Sequence, residues 1–329
     1  MIGLIALLGM SCVLHAQTNR PVDIHVGMYI NELHEINMQE GFFTADFWIW
    51  FRWVDSACAR EGVSLGMIDE LMNPIESFEV TNGQIESRTY VSVDSSAGFY
   101  YGYARILARV TKRFDLWSYP MDSHVLDITI EDGNFEQDVV RYIPDLVNTT
   151  INPEIDVPGW DLEHIPPRVT SHVYKSNFGD LTLPTGSESS YSRVLFSVAI
   201  TKDKVFSILK TFWATILAVL MGLMALLINP TAVDPRFGLG VGSVFAVVAN
   251  TLVVSSGLAD SNQIVYSDAV QVLAALVILS SIVESVISFR LVERGLDYET
   301  QVRKWDFRIA AFFLCVFVCG FITATWYYF

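Results

Sequence analysis

Four apolar stretches between residues 205 and 329 constrain this chain more than any other feature. Residues 211–228 and 237–259 carry no charge, 269–289 carry only Glu284, and 309–329 carry none. Each run is close to the ~20 residues a helix needs to cross the ~30 Å hydrocarbon layer. One such run also suits a buried core helix, but four in succession point to membrane crossing. Spans are expected at about 205–228, 236–258, 266–289 and 306–329. The closing aromatics Trp326, Tyr327 and Tyr328 suit an interfacial belt. The connector 290–308 holds Arg290, Arg294, Arg303, Lys304 and Arg308. The positive-inside rule puts it in the cytoplasm and both ends of the apolar region outside. Lys210 can snorkel to the surface. Glu284 is expected to pair with Arg290 or Lys304, or to face a wet crevice.

The preceding part has a different period. Ile24, Val26, Met28 and Ile30 alternate with polar or small residues, as do Ala45, Phe47, Ile49, Phe51 and Trp53. Ala104 to Val110, Leu126 to Ile130, and Val194 to Ile200 continue the pattern. Half-buried strands produce it, because successive side chains point to opposite faces. Several such strands separated by Gly, Pro and Asn suggest an immunoglobulin-like antiparallel β-sandwich over residues 17–204. The fold class is then an α+β membrane protein: a sandwich followed by a four-helix transmembrane bundle over 205–329. Residues 1–16 read as a secretory signal peptide, although no Lys or Arg lies near the start. The sandwich would then lie outside the cytoplasm and the spans in the plasma (inner) membrane.

Charge divides the same way. Residues 1–204 hold 28 acidic and 14 basic residues, and residues 205–329 hold 8 and 7. The net charge of -15 and the lack of a basic tract argue against nucleic acid as a partner. An acidic exterior concentrates cations. The six histidines are scattered without metal-ligand spacing, and no nucleophile elbow or phosphate loop is present. An enzyme is therefore not expected, and neither is a cofactor. Asn148 opens a glycosylation sequon, which matters only in a eukaryotic secretory route.

Short motifs narrow the class. Residues 114–122 read FDLWSYPMD, 53–55 read WVD, 72–74 read MNP and 159–161 read GWD. Arg236 opens the second span, Leu258 closes it, and Asp268 opens the third. Together these resemble the pentameric ligand-gated ion channels, the Cys-loop receptor superfamily, from about residue 21 to the end. The cysteine pair of animal members would fall at Lys112 and Leu126, so that disulfide is absent. The proline usual in the first span is missing too. Both features resemble the prokaryotic branch. The resemblance implies a homopentamer in a lipid bilayer, with a central pore and ligand sites between neighbours.

The resemblance also assigns residues. Asp234, Gly238, Gly242, Phe245, Ala249, Leu252 and Ser256 share one helical seam and would line the pore. Phe245 would form an apolar ring that stops ions by dewetting. Two other readings stay open. Gly238 and Gly242 can be a helix-packing surface, and Ser243 with Asn250 gives a rival polar seam. Asp234 and the acidic exterior favour monovalent cations; Arg236 argues against this if it faces the lumen. Trp48, Arg105, Glu131, Phe135, Phe178 and Tyr191 would form the ligand site. Aromatic faces plus a carboxylate suit a cationic amine, while Trp48 and Phe135 also suit plain sandwich packing. Protons or divalent cations are further candidate agonists or modulators. Trp53, Asp55, Tyr119, Pro120, Asp122 and Lys202 would couple binding to the loop 259–268, with Asp122 paired to Lys202. The competing function is a non-conducting membrane receptor or adhesion protein with a sandwich binding module.

Overall fold

A computed structural model describes residues 21–53, 73–96, 99–176, 179, 184, 186–258, 263–294 and 299–328. The signal expected over 1–16, Met72, Asp55, Phe178 and residues 259–262 of the coupling loop lie outside the described residues.

With the five alternating segments among them, the described residues form ten strands. They are β1 (Val22–Asn37), β2 (Phe42–Trp53), β3 (Phe78–Val80), β4 (Gly83–Ser96) and β5 (Phe99–Thr111), then β6 (Ser123–Asp132), β7 (Val140–Pro144), β8 (Thr150–Ile151), β9 (Asp161–Tyr174) and β10 (Ser189–Thr201). A single-turn helix, α1 (Pro74–Ser77), precedes β3. One sheet has the order β4-β5-β2-β1-β7 with β8 beside β1, and the other β3-β6-β10-β9. Phe47, Ile49 and Phe51 of the first sheet share one core with Ile128, Phe196 and Val198 of the second. The inward residues are those of the period-two pattern, and their neighbours face out. The pairing is not wholly antiparallel, because β1 runs parallel to β7 and β8. The chain visits the second sheet at β6 and returns to the first in the direction of β1.

Four long helices follow: α2 (Lys204–Met224), α3 (Val233–Ser255), α4 (Tyr266–Glu293) and α5 (Glu299–Tyr328). A short 3-10 turn, Ala225–Leu227, extends the first. All four are long and apolar enough to cross a membrane, so the chain is a multi-pass membrane protein. Asp203 caps α2 by accepting from the Phe206 N–H at 2.7 Å. Pro235 sits in the first turn of α3, where its missing N–H costs no helical bond. α5 begins at Glu299, so Arg303, Lys304 and Arg308 stand on its first turns rather than in a loop. Ala218, Val247, Ile278 and Phe317, one from each helix, meet in a second core.

Candidate functional site

The β part and the helices meet at the loop between β5 and β6. The Lys112 N–H donates to the Gly41 carbonyl at 2.8 Å, which fixes the loop's start beside the β1–β2 turn. Met121 then enters an apolar cluster with Phe212, Tyr266 and Val270 of the helices. The Trp117 carbonyl accepts from the Tyr266 N–H at 3.1 Å. Its ring lies 4.6 Å from Tyr328, and the Tyr328 hydroxyl donates to the Ile264 carbonyl at 3.1 Å.

Asp122 is the polar centre of this junction. It is buried, accepts from Lys202 Nζ at 3.0 Å and from His124 Nε2 at 2.6 Å. Burial alone would raise its pKa. The His124 hydrogen bond and the Lys202 charge outweigh that and hold the carboxyl below its usual range. Burial pulls Lys202 below the ordinary lysine range, and Asp122 offsets this only in part. The ammonium also lies 4.8 Å from the Tyr119 ring centre and 4.4 Å from that of Trp160. Trp160 is the tryptophan of the GWD motif. A cavity of about 570 Å³ opens beside the group, lined by Tyr119, Trp160, Lys202, Lys210 and Asn250 among others.

Trp53 does not belong to this junction. Phe42 pairs with Thr111 at the loop end of β2, whereas Trp53 pairs with Tyr100 at the other end. At ~3.3 Å per residue the two ends are on the order of 35 Å apart. Trp53 is 2% exposed and stacks on Tyr100 at 5.2 Å. It is a core residue of the far end.

The surface of α3 sorts its residues. Asp234, Gly238, Gly242, Phe245, Ala249, Leu252 and Ser256 are all exposed in the single chain. Phe245 is 71% exposed. A Cβ added at Gly238 or Gly242 meets nothing within 4 Å, so neither glycine packs against another helix of the chain. Gly240 does, with Ile282 at 2.8 Å from an added Cβ. The rival seam turns inward. Ser243 is fully buried and bonds its own helix at Leu239. Asn250 donates to the Thr211 carbonyl at 3.2 Å and to Thr215 Oγ1 at 2.9 Å, both on α2.

Arg236 also turns inward and stays off the exposed seam. It is 1% exposed and donates to Asp306 at 2.9 Å and to Ser285 at 3.1 Å. Ser288 donates to the same Asp306. Glu284 forms no ion pair with Arg290 or Lys304; among the described residues its side-chain partner is Ser288, at 3.5 Å. Arg290 lies six residues further along α4, about 120° round the helix, and points elsewhere.

The expected ligand residues form two groups on different sheets. Trp48 and Arg105 lie on the outer face of the six-stranded sheet, opposite the inward Phe47 and Ile106. Arg105 forks onto Asp46, with Nε 3.0 Å from Oδ1 and Nη2 2.5 Å from Oδ2. Trp48 contacts Tyr90 and Tyr103, at 5.7 and 6.2 Å, so it is surface rather than core. Glu131 and Tyr191 lie on the outer face of the four-stranded sheet. Glu131 is bonded to Arg193 and accepts from the Tyr174 hydroxyl at 2.9 Å. A cationic amine would have to displace Arg193 to use this carboxylate. Phe135 packs against the sandwich core. The shared core separates the two groups, so no single chain brings them together.

Sequence reasoning missed His124, the Trp117–Tyr328 contact and Asp306. Asp306 stands between Lys304 and Arg308 in the expected connector; the start of α5 at Glu299 turns it inward. Neither a protein-family model nor any curated protein matches the chain.

Proposed function

We propose that the chain is one subunit of a homopentameric, ligand-gated, cation-selective channel, with its β part an extracytoplasmic immunoglobulin-like sandwich. The observation that carries this reading is the exposed seam of α3. Its residues are small, polar or acidic at five of seven places: Asp234, Gly238, Gly242, Ala249 and Ser256. The exposed surface of α5, by contrast, bears Trp305, Phe307, Phe312 and Ile322 around the helix, as suits contact with lipid. A seam of the first kind favours water on one side of α3, and five copies would enclose it. Phe245 and Leu252 then narrow the path, and an ion that cannot shed its hydration stops there. Asp234 gives the inner mouth a ring of carboxylates. Arg236, paired with Asp306, leaves that ring unopposed.

In this reading the ligand binds between neighbours, where the Trp48 face of one sandwich meets the Glu131 and Tyr191 face of the next. That explains why the two groups lie on opposite outer faces. Binding favours the arrangement of the junction that tilts or rotates α3 and widens the Phe245 ring. The shift is limited to the ligand's differential affinity for the two states. Met121, Trp117 and the Asp122–Lys202 pair are the contacts that would transmit it.

Phe245→Ala tests the pore directly and needs no agonist. The expected result is a standing, cation-selective current across a bilayer with a NaCl gradient, absent from the wild type. Native mass spectrometry should give five subunits. A monomer or dimer with no current in either form would favour the receptor or adhesion reading.

A further inference from the structure

Two thiols stand together on the exposed side of α5. Cys315 and Cys319 are free and exposed, and their Sγ atoms lie 3.9 Å apart. They are one turn apart, so they share a helix face with Cβ atoms about 5–6 Å apart. A disulfide needs Cβ atoms about 3.5–4.5 Å apart. The helix therefore keeps the two from bonding to each other, and both stay thiols while α5 is intact. Phe317, two residues from each, points the opposite way and is buried in the bundle. Around the cysteines the surface is apolar, with Phe312, Val316 and Ile322 exposed. Cys319 is the middle residue of the uncharged run 309–329. At ~1.5 Å per residue it is about 15 Å from either end, half the ~30 Å hydrocarbon layer. The pair thus faces lipid near mid-layer.

That setting selects the ligand. Sulfur favours soft partners. Hydrocarbon penalises net charge, so the bound product must be neutral. Zinc wants four ligands, and among the described residues no third His, Cys, Asp or Glu stands with the pair. A copper(I) ion on two thiolates leaves a negative charge. Mercury(II) on two thiolates is neutral, but it is linear and drives the sulfurs apart. Trivalent arsenic bearing one organic group is neutral and pyramidal, and it holds two sulfurs side by side. We infer that Cys315 and Cys319 form a dithiol site for a lipid-soluble, monosubstituted trivalent arsenical. The arsenical enters as RAs(OH)2. Two As–O bonds and two S–H bonds break, two As–S bonds form, and two waters leave. Arsenic stays trivalent, so nothing is oxidised or reduced. The second thiol closes a ring on one helix face, which makes its attack intramolecular. The site rests on the membrane crossing of α5 alone and is independent of the channel reading.

Phenylarsine oxide is the probe, added to the full-length protein in lipid nanodiscs and read by intact mass after a wash in excess 2-mercaptoethanol. The wild type should keep one phenylarsenic group per subunit and release it to 2,3-dimercaptopropanol. Cys315→Ser and Cys319→Ser should each lose it to 2-mercaptoethanol about a hundredfold faster, having one As–S bond in place of two. Trypsin leaves 309–329 as a single peptide that holds both cysteines. The arsenic should be found on that peptide, a readout that needs no variant. Cys58→Ser should change nothing. A sulfonated phenylarsine oxide, which hydrocarbon excludes, should label the 309–329 peptide only after unfolding in SDS. The inference is overturned if no arsenical survives the 2-mercaptoethanol wash, if either serine variant holds it as long as the wild type, or if the arsenic is on another peptide. Labelling of the folded protein at 309–329 by the sulfonated probe, at the rate of the parent, equally overturns it, because the pair would then not face lipid.

Discussion

Asp122 carries its charge in a place where burial works against it. Lys202 and His124 make this tenable, and each is held by its own strand or strand end. Removing one partner of a buried pair leaves the other uncompensated. Asp122→Asn should cost about 3 kcal/mol. Adding Lys202→Met to it should recover much of that, measured by chemical denaturation. The sign of the pH effect follows from the lowered Asp122 pKa. A depressed carboxylate stabilises the fold fully above its unfolded pKa of ~3.9 and loses this as pH falls toward the folded value. Wild-type stability should therefore fall more steeply below about pH 4 than that of Asp122→Asn. Parallel curves would show that other carboxylates set the acid limit. Lys202 stays protonated across this window and adds no slope there.

At the level of one element, α3 holds three glycines in two environments. Gly238 and Gly242 face open space, and Gly240 faces Ile282. Alanine at Gly238 or Gly242 should stabilise the helix by about 0.5–1 kcal/mol, since it removes backbone entropy and meets nothing. The same change at Gly240 should gain less or lose stability, because its Cβ comes within 2.8 Å of Ile282. Melting of the three variants in one detergent checks the order. In a conducting protein, Gly238→Ala and Gly242→Ala should also lower single-channel current, whereas Gly240→Ala should not. Equal stability changes at all three positions would contradict the packing of α3.

Across the whole molecule, α5 packs along α4 and is also tied by polar and aromatic contacts at its two ends. Asp306 ties its N-terminal end to Arg236 of α3, and Tyr328 ties its C-terminal end to Trp117 and Ile264. Between them Ala310 and Phe317 are its buried side chains. The C-terminal end therefore joins the β part to the bundle. Tyr328→Ala removes ring contacts with Trp117, Tyr266 and Tyr327 and one hydrogen bond, about 3 kcal/mol together. The expected result is lower stability of the junction, read as faster hydrogen exchange at Tyr266 and Ile264. Unchanged exchange there would mean that α5 carries no such tie.

Alternation marked five of the strands, and the length of the uncharged runs marked the four apolar helices. Both patterns are local: alternation follows from side chains pointing to opposite faces, and span length from the bilayer. Helical periodicity also grouped the α3 residues into seams, because residues three and four apart share a face, but which seam is exposed was decided by the packing. Direction and partner choice were not local. Nothing near β1 says that it pairs in parallel with β7, nor that Trp53 sits at the end of β2 away from the helices. Ser243 and Asn250 had the spacing of a seam, yet the packing of α2 against α3 turned them inward. Glu131 looked like a free carboxylate until β10 brought Arg193 beside it. Asp306 fell in the expected connector 290–308 until α5 began early and turned it toward Arg236. Each of these depends on a contact between residues far apart in the chain, so only the tertiary structure decided it.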